Sequence, residues 1–175
     1  MLHRIILLLS IASCAWSQEL TSQTTPEIKW MSADEVQGYL SGYGMGFAKA
    51  AELNQHPGPK HVLELAEQLQ LTKEQIEKTQ AIFDEMHSAA VQLGKSYVEK
   101  EAALDQLFLN SLMDESILRT LVSEIERIRA DLRFVHLKAH LAMKSILSQK
   151  QIAEYDRLRG YSNSKNENHQ HQGHH

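Results

Sequence analysis

The sequence predicts an all-α fold, a long antiparallel helical hairpin with shorter flanking helices, four to five helices in all. Three observations carry that prediction. Leu, Ala, Glu, Gln and Lys dominate while only three prolines and eight glycines interrupt the chain, a mix that favours helix over strand. Apolar residues recur at seven-residue intervals along two long stretches. Residues that cap helix N-termini stand where each stretch begins. The 175 residues are enough for one domain with a core of its own.

The first segment, 1–17, has Arg4, then the apolar run Ile5 to Ala12, then small residues. That is the layout of a secretory signal, and it is too short to span a bilayer as a helix. Two processing routes remain open. Ala15-Trp16-Ser17 before Gln18 suits ordinary signal cleavage, whereas Ile11-Ala12-Ser13-Cys14 has the pattern of a lipobox that would lipidate Cys14. The chain is expected to be exported to the periplasm, as a soluble or lipid-anchored protein. Cys14 is the only cysteine, so the mature fold is expected to lack an internal disulfide even in an oxidising compartment. Cohesion must then come from helix packing.

Residues 18–32 are polar and read as a flexible leader, and the helical domain is expected over 33–161. Ser32-Ala33-Asp34-Glu35 offers a cap with Glu35 at the third helical position, opening a helix that is expected to run to about Asn54. Gly38, Gly42, Gly44 and Gly46 lie inside it, each costing about 1 kcal/mol against Ala in a helix. Either another helix packs closely on a glycine-thinned face, or the segment is partly irregular and acts as a gate or touches a ligand. His56-Pro57-Gly58-Pro59 is a stop and a sharp turn, because each proline disfavours helix in the residue before it. A short helix is expected from Pro59 or Lys60 to near Gln70.

Thr72 can cap the next helix while Gln75 reaches back to it. From there to about Asn110 one row holds Ile76, Phe83, Ala90, Tyr97 and Leu104, with Met86, Leu93 and Leu107 beside it. Asp114-Glu115 supplies another cap, followed by Leu118, Ile125, Leu132, Ala139 and Ile146 alongside Leu121, Ile128, Val135 and Ala142. Two such stripes joined by a short turn should pack against each other. Phe134, Leu137 and Leu141 lie opposite the second stripe, and the glycine-rich helix is their expected cover. Ser148 and Gln151 repeat the capping arrangement and open a final short helix to Gly160-Tyr161. Residues 162–175 carry nothing to bury and read as a disordered, His-rich tail.

The pair Leu71-Thr72-Lys73-Glu74-Gln75 and Leu147-Ser148-Gln149-Lys150-Gln151, at the ends of a helical hairpin in an exported chain, resembles the LTxxQ signature of the Spy/CpxP family. Periplasmic zinc- and nickel-responsive proteins of the ZraP and CnrX kind are similar in layout. The resemblance covers about Leu63 to Tyr161. It implies a curved, usually dimeric helical protein of the envelope, acting as an ATP-independent holdase for unfolded envelope proteins or as a metal-responsive stress component that works with a membrane-bound regulator. The chain departs from the pattern in three ways: Ser148 stands in place of Thr, a glycine-rich segment precedes His56, and the end is rich in histidine.

Histidine patterning points to metal. His169, His171, His174 and His175 fall within seven residues, and imidazoles so spaced suit Zn(II), Cu(II) or Ni(II). His136 and His140, four apart on the second long helix, share one face, with Met143 at the same angular position as His136. Both are expected beside the seam with partial solvent access. His61 is a candidate third ligand, and Glu64 could orient it or bind directly. His56 and His87 read as surface positions, and Glu99, Glu101 and Asp105 as a solvated face.

No thiol in the mature chain, no phosphate-binding loop and no His-Glu-x-x-His spacing point to catalysis, and no organic cofactor is implied. The chain has 22 acidic against 18 basic residues, Arg4 of the signal included, with no basic stripe, which argues against nucleic acid as the partner. The membrane is expected to matter only through lipid at Cys14. The reading is thus a non-catalytic, metal-binding envelope-stress protein of the heavy-metal sensor or resistance type, with a metal-independent holdase as the alternative.

Overall fold

A computed structural model describes residues 28–161, so the signal segment, Cys14 and the four tail histidines lie outside the described residues. Over that span the protein is all-α. Its helices are α1 (Ala33–Leu40), α2 (Lys49–Glu52), α3 (Pro59–Glu64), α4 (Lys73–Leu109), α5 (Glu115–Ile146) and α6 (Gln149–Leu158). No helix among the described residues is long and apolar enough to cross a membrane.

The hairpin of α4 and α5 is the frame. At 37 residues, α4 is about 55 Å long, and α5 runs back along it. Ion pairs join Lys138 to Glu85 at 2.8 Å and Lys100 to Glu124 at 2.6 Å, one residue number rising as the other falls. The buried stripe holds Met86, Ala90, Gly94, Tyr97 and Val98 of α4 and Leu121, Ile125, Leu132, Ala139 and Met143 of α5. Asp114 caps α5 through its side chain on the Ile117 N–H at 2.8 Å, as its position predicts.

Two clusters divide the core. One joins Ile28, Met31 and Val36 to Ala90, Tyr97, Val98, Leu121, Ile125 and Leu132. Ile28 and Met31, within the stretch read as leader, are therefore part of the packed unit. The other gathers Val62, Leu69, Met143, Leu147, Ile152 and Tyr155 where α3, α5 and α6 meet.

The glycine-rich segment departs from expectation. The helix opened by the Ser32 capping box ends at Leu40, not near Asn54. Gly42 and Gly46 take φ of +63° and +78°, and Met45 takes +43°, left-handed backbone that no α-helix can contain. The segment is an irregular strap, the second of the two readings that the glycines allow. The close helix approach lies elsewhere, at Gly94 of α4. There the backbone carbonyl of Tyr39, at the end of α1, sits where a Cβ would be. This contact draws α1 onto α4, so α1 does not cover Phe134 and Leu141, which stay 65% and 63% exposed. The short helix α3 also stops early, at Glu64, and an irregular run with Gln70 at φ +50° leads into α4.

The two capping motifs do more than cap. Thr72 and Ser148 each receive the N–H of the glutamine three residues on, at 3.2 and 3.3 Å. Each glutamine Oε1 accepts its own cap's N–H, at 3.0 Å for Gln75 and 2.9 Å for Gln151. The two amides then face each other. Gln75 Nε2 donates to Gln151 Oε1 and to the Ile146 carbonyl, while Gln151 Nε2 donates to Gln75 Oε1 and to the Leu69 carbonyl. This closed pair bolts the start of α4 to the start of α6. Gln75→Ala and Gln151→Ala are each expected to cost about 1–3 kcal/mol, and the double variant to cost less than their sum by about 0.5 kcal/mol or more. Additive losses in urea unfolding would show that the amides act only as separate caps.

Candidate histidine-lined cavity

The strap, the Gly58-Pro59 turn and the middle of the hairpin line a half-open cavity of about 350 Å³. Its wall is mostly apolar. Its polar side chains are those of Tyr43, Lys49, Glu52, Lys60 and four histidines, His61, His87, His136 and His140. Three of the histidines expected to bind metal thus line one cavity, joined by His87, which the sequence placed at the surface.

α5 sets the first pair. One turn apart on one helix face, His136 and His140 are 3% and 6% exposed. Their burial corrects the expectation of partial solvent access, because the irregular strap lies over this face. His136 stacks on Phe47 of the strap with ring centroids 6.1 Å apart, and its Nε2 is buried with no hydrogen-bond partner among the described residues. Burial, with His140 and His87 close by, pushes its pKa down to about 4, so the ring is neutral at pH 7.

The tautomer of His140 follows from its partner. Its Nδ1 lies 2.7 Å from the carbonyl of His56, and a carbonyl only accepts, so Nδ1 carries the proton and Nε2 keeps a lone pair. Burial also lowers its pKa, against the opposing pull of the His56 carbonyl and Glu52. Gly58 closes over this ring. A Cβ there would stand 2.9 Å from Cε1 and 3.0 Å from Nε2 of His140, so only glycine lets the turn lie this close. The carbonyl of His56 is thereby part of the site, although the residue reads as a surface position in the sequence.

Within α3, His61 Nδ1 bonds Glu64 at 2.7 Å, the orienting contact that the sequence suggested. The bond holds the Glu64 carboxyl below its ordinary pKa. Glu52, which the sequence reading passed over, is engaged elsewhere. Its Oε1 accepts from the buried Tyr155 hydroxyl at 3.2 Å and pairs with Arg159 at 3.7 Å, with His61 Nε2 at 4.0 Å. Tyr155 also receives the Gly58 N–H at 3.4 Å, tying α6 to the turn above His140.

His87 stacks on Phe83 with centroids 5.4 Å apart and abuts the Gly42 turn. Met86 lines this cavity and also a smaller one with Val135 and Ala139, which places it between the long helices at the level of His136. Among the described residues no three His, Cys, Asp or Glu side chains stand close enough together to hold one metal ion. Glu101, expected on a solvated face, is instead 5% exposed, and burial raises its pKa despite a hydrogen bond with Tyr97. No spacing motif marks Met45 or His87, and the seven-residue stripe marks Met86 only as a seam position.

Comparison with protein-family models, with curated proteins and with solved structures found no match to this chain.

Proposed function

We propose that this chain is a non-catalytic metal-binding protein of the cell envelope, of the heavy-metal sensor or resistance type, with its ordered site at His136 and His140. The observation that carries this reading is His136 Nε2, a buried ring nitrogen with no hydrogen-bond partner among the described residues, one helical turn from a second imidazole whose other nitrogen is held by a carbonyl. An unsatisfied buried polar atom costs about 1–3 kcal/mol, and a metal would satisfy it. The His140 arrangement supports the same reading, because a metal-binding histidine characteristically donates its other N–H to a carbonyl or carboxylate. The tail histidines His169, His171, His174 and His175 serve as an auxiliary site. Metal at the cavity shifts the strap against the hairpin, and that shift is the output to a partner, a second copy or a membrane-bound regulator.

The test is calorimetric titration of Zn(II), Ni(II) and copper in both oxidation states into the full chain with its four tail histidines changed to Gln. One ion is expected to bind with one-to-one stoichiometry, and His136→Gln or His140→Gln to weaken it by about 100-fold or more. No heat from any ion would sink the ordered site.

A second reading rests on a different observation. Phe108, Leu109 and Leu112 at the hairpin turn, with Phe134 and Leu141 along α5, are more than half exposed, an apolar surface suited to unfolded clients. A holdase acting through it would delay client aggregation equally in chelator and in metal.

A further inference from the structure

We infer that the cavity is built for a soft monovalent ion, Cu(I), held by His136, His140 and the thioether of Met86, and not for a divalent ion. The inference rests on the metal-binding reading above and narrows it to an ion class.

The charge of the donors decides first. The carboxylates near the cavity already serve other groups, Glu52 through Oε1 to Tyr155 and Arg159, Glu64 through Oε2 to His61. What remains for an ion is neutral: the Nε2 of His140, the unpartnered Nε2 of His136, and a sulphur. Removing an ion from water costs an energy that grows with the square of its charge, so an apolar pocket with neutral donors penalises a divalent ion about four times as heavily as a monovalent one. Lys49 and Lys60 on the wall add to that penalty and contribute no ligand.

Donor number and softness point the same way. Structural Zn(II) sites take four N, S or O ligands from the protein, and no group of three His, Cys, Asp or Glu is assembled among the described residues. Cu(I) is satisfied by two or three ligands and is selected by sulphur. Met86, 9% exposed, reaches the cavity from α4 directly across from the His136 turn. Its position between the two long helices is one that leucine would fill as well, so the sulphur is the feature that packing alone does not require.

The experiment uses the full chain with Cys14 changed to Ser and the tail histidines changed to Gln, titrated anaerobically with Cu(I) against a chromophoric Cu(I) chelator, and in parallel with Zn(II). Cu(I) is expected to bind more tightly than Zn(II). Met86→Leu is expected to weaken Cu(I) about tenfold while leaving any Zn(II) binding and the melting temperature nearly unchanged. X-ray absorption of the Cu(I)-loaded protein should show one sulphur neighbour that Met86→Leu removes. Tighter Zn(II) than Cu(I) binding, lost in His136→Gln, would overturn this inference and leave the metal-binding reading standing. An unchanged Cu(I) affinity and spectrum in Met86→Leu would overturn it as well. Failure of every ion to bind would remove both.

Discussion

Gly94→Ala is expected to lower stability by about 1–2 kcal/mol, although alanine is the better helix former. The two effects oppose each other. Within a helix the change from Gly to Ala gains about 1 kcal/mol, but the new Cβ would occupy the position of the Tyr39 carbonyl. That neighbour is backbone, so no rotamer change relieves the overlap. α1 must lift off α4, and overpacking of this kind costs about 1–3 kcal/mol or more. The strain would also loosen Tyr39 from Tyr97, whose rings lie 4.5 Å apart, and so disturb the first core cluster. A fall in melting temperature of about 3–8 °C is expected. Gly44→Ala is the control, since nothing stands within 4 Å of its Cβ position, and its effect should be small. Equal stability of Gly94→Ala and the parent protein would show that α1 does not dock as described.

Mild acid is expected to destabilise the apo protein through His136 and His140. The folded state holds His136 at a pKa of about 4, below the ordinary value of about 6.5 that applies once the chain unfolds. In this interval the unfolded chain binds the proton and the folded chain does not, so stability rises with pH. The contribution is complete above pH 6.5 and is lost as pH falls toward 4. For His136 it amounts to about 3 kcal/mol, at 1.36 kcal/mol per pKa unit, and His140 adds to it in the same direction. The raised pKa of Glu101 works oppositely, since its carboxyl keeps a proton that the unfolded chain has released. Chemical unfolding of the apo protein at pH 7.5 and pH 5, beside His136→Gln, measures the effect. The parent should lose markedly more stability than the variant over that interval. An equal loss in both would mean that the ring is solvated in the folded state.

The helical class, the hairpin and the caps at Ser32, Thr72, Asp114 and Ser148 were legible from residue order alone. Each is a local property. A capping box closes within three residues, and a seven-residue stripe needs only the helix's own geometry to gather on one side. The pairing of His136 with His140 was legible for the same reason, because four residues make one turn wherever the helix lies.

What the order of residues could not decide was which face each stripe would meet. Four glycines in nine residues are compatible with a close-packed helix and with a left-handed strap, and the choice fell to the strap because the helix contact was made at Gly94 instead. That choice buried His136 and His140, left Phe134 and Leu141 exposed, and brought His61 of α3 and the adjacent Met86 and His87 of α4 to the same cavity from two other parts of the chain. The mutual bond of Gln75 and Gln151 belongs with these, since two motifs 76 residues apart carry no local sign that they meet. Short-range hydrogen bonding and helical periodicity therefore wrote the elements into the sequence, whereas burial, pKa and the composition of the cavity arose only where packing brought distant residues together.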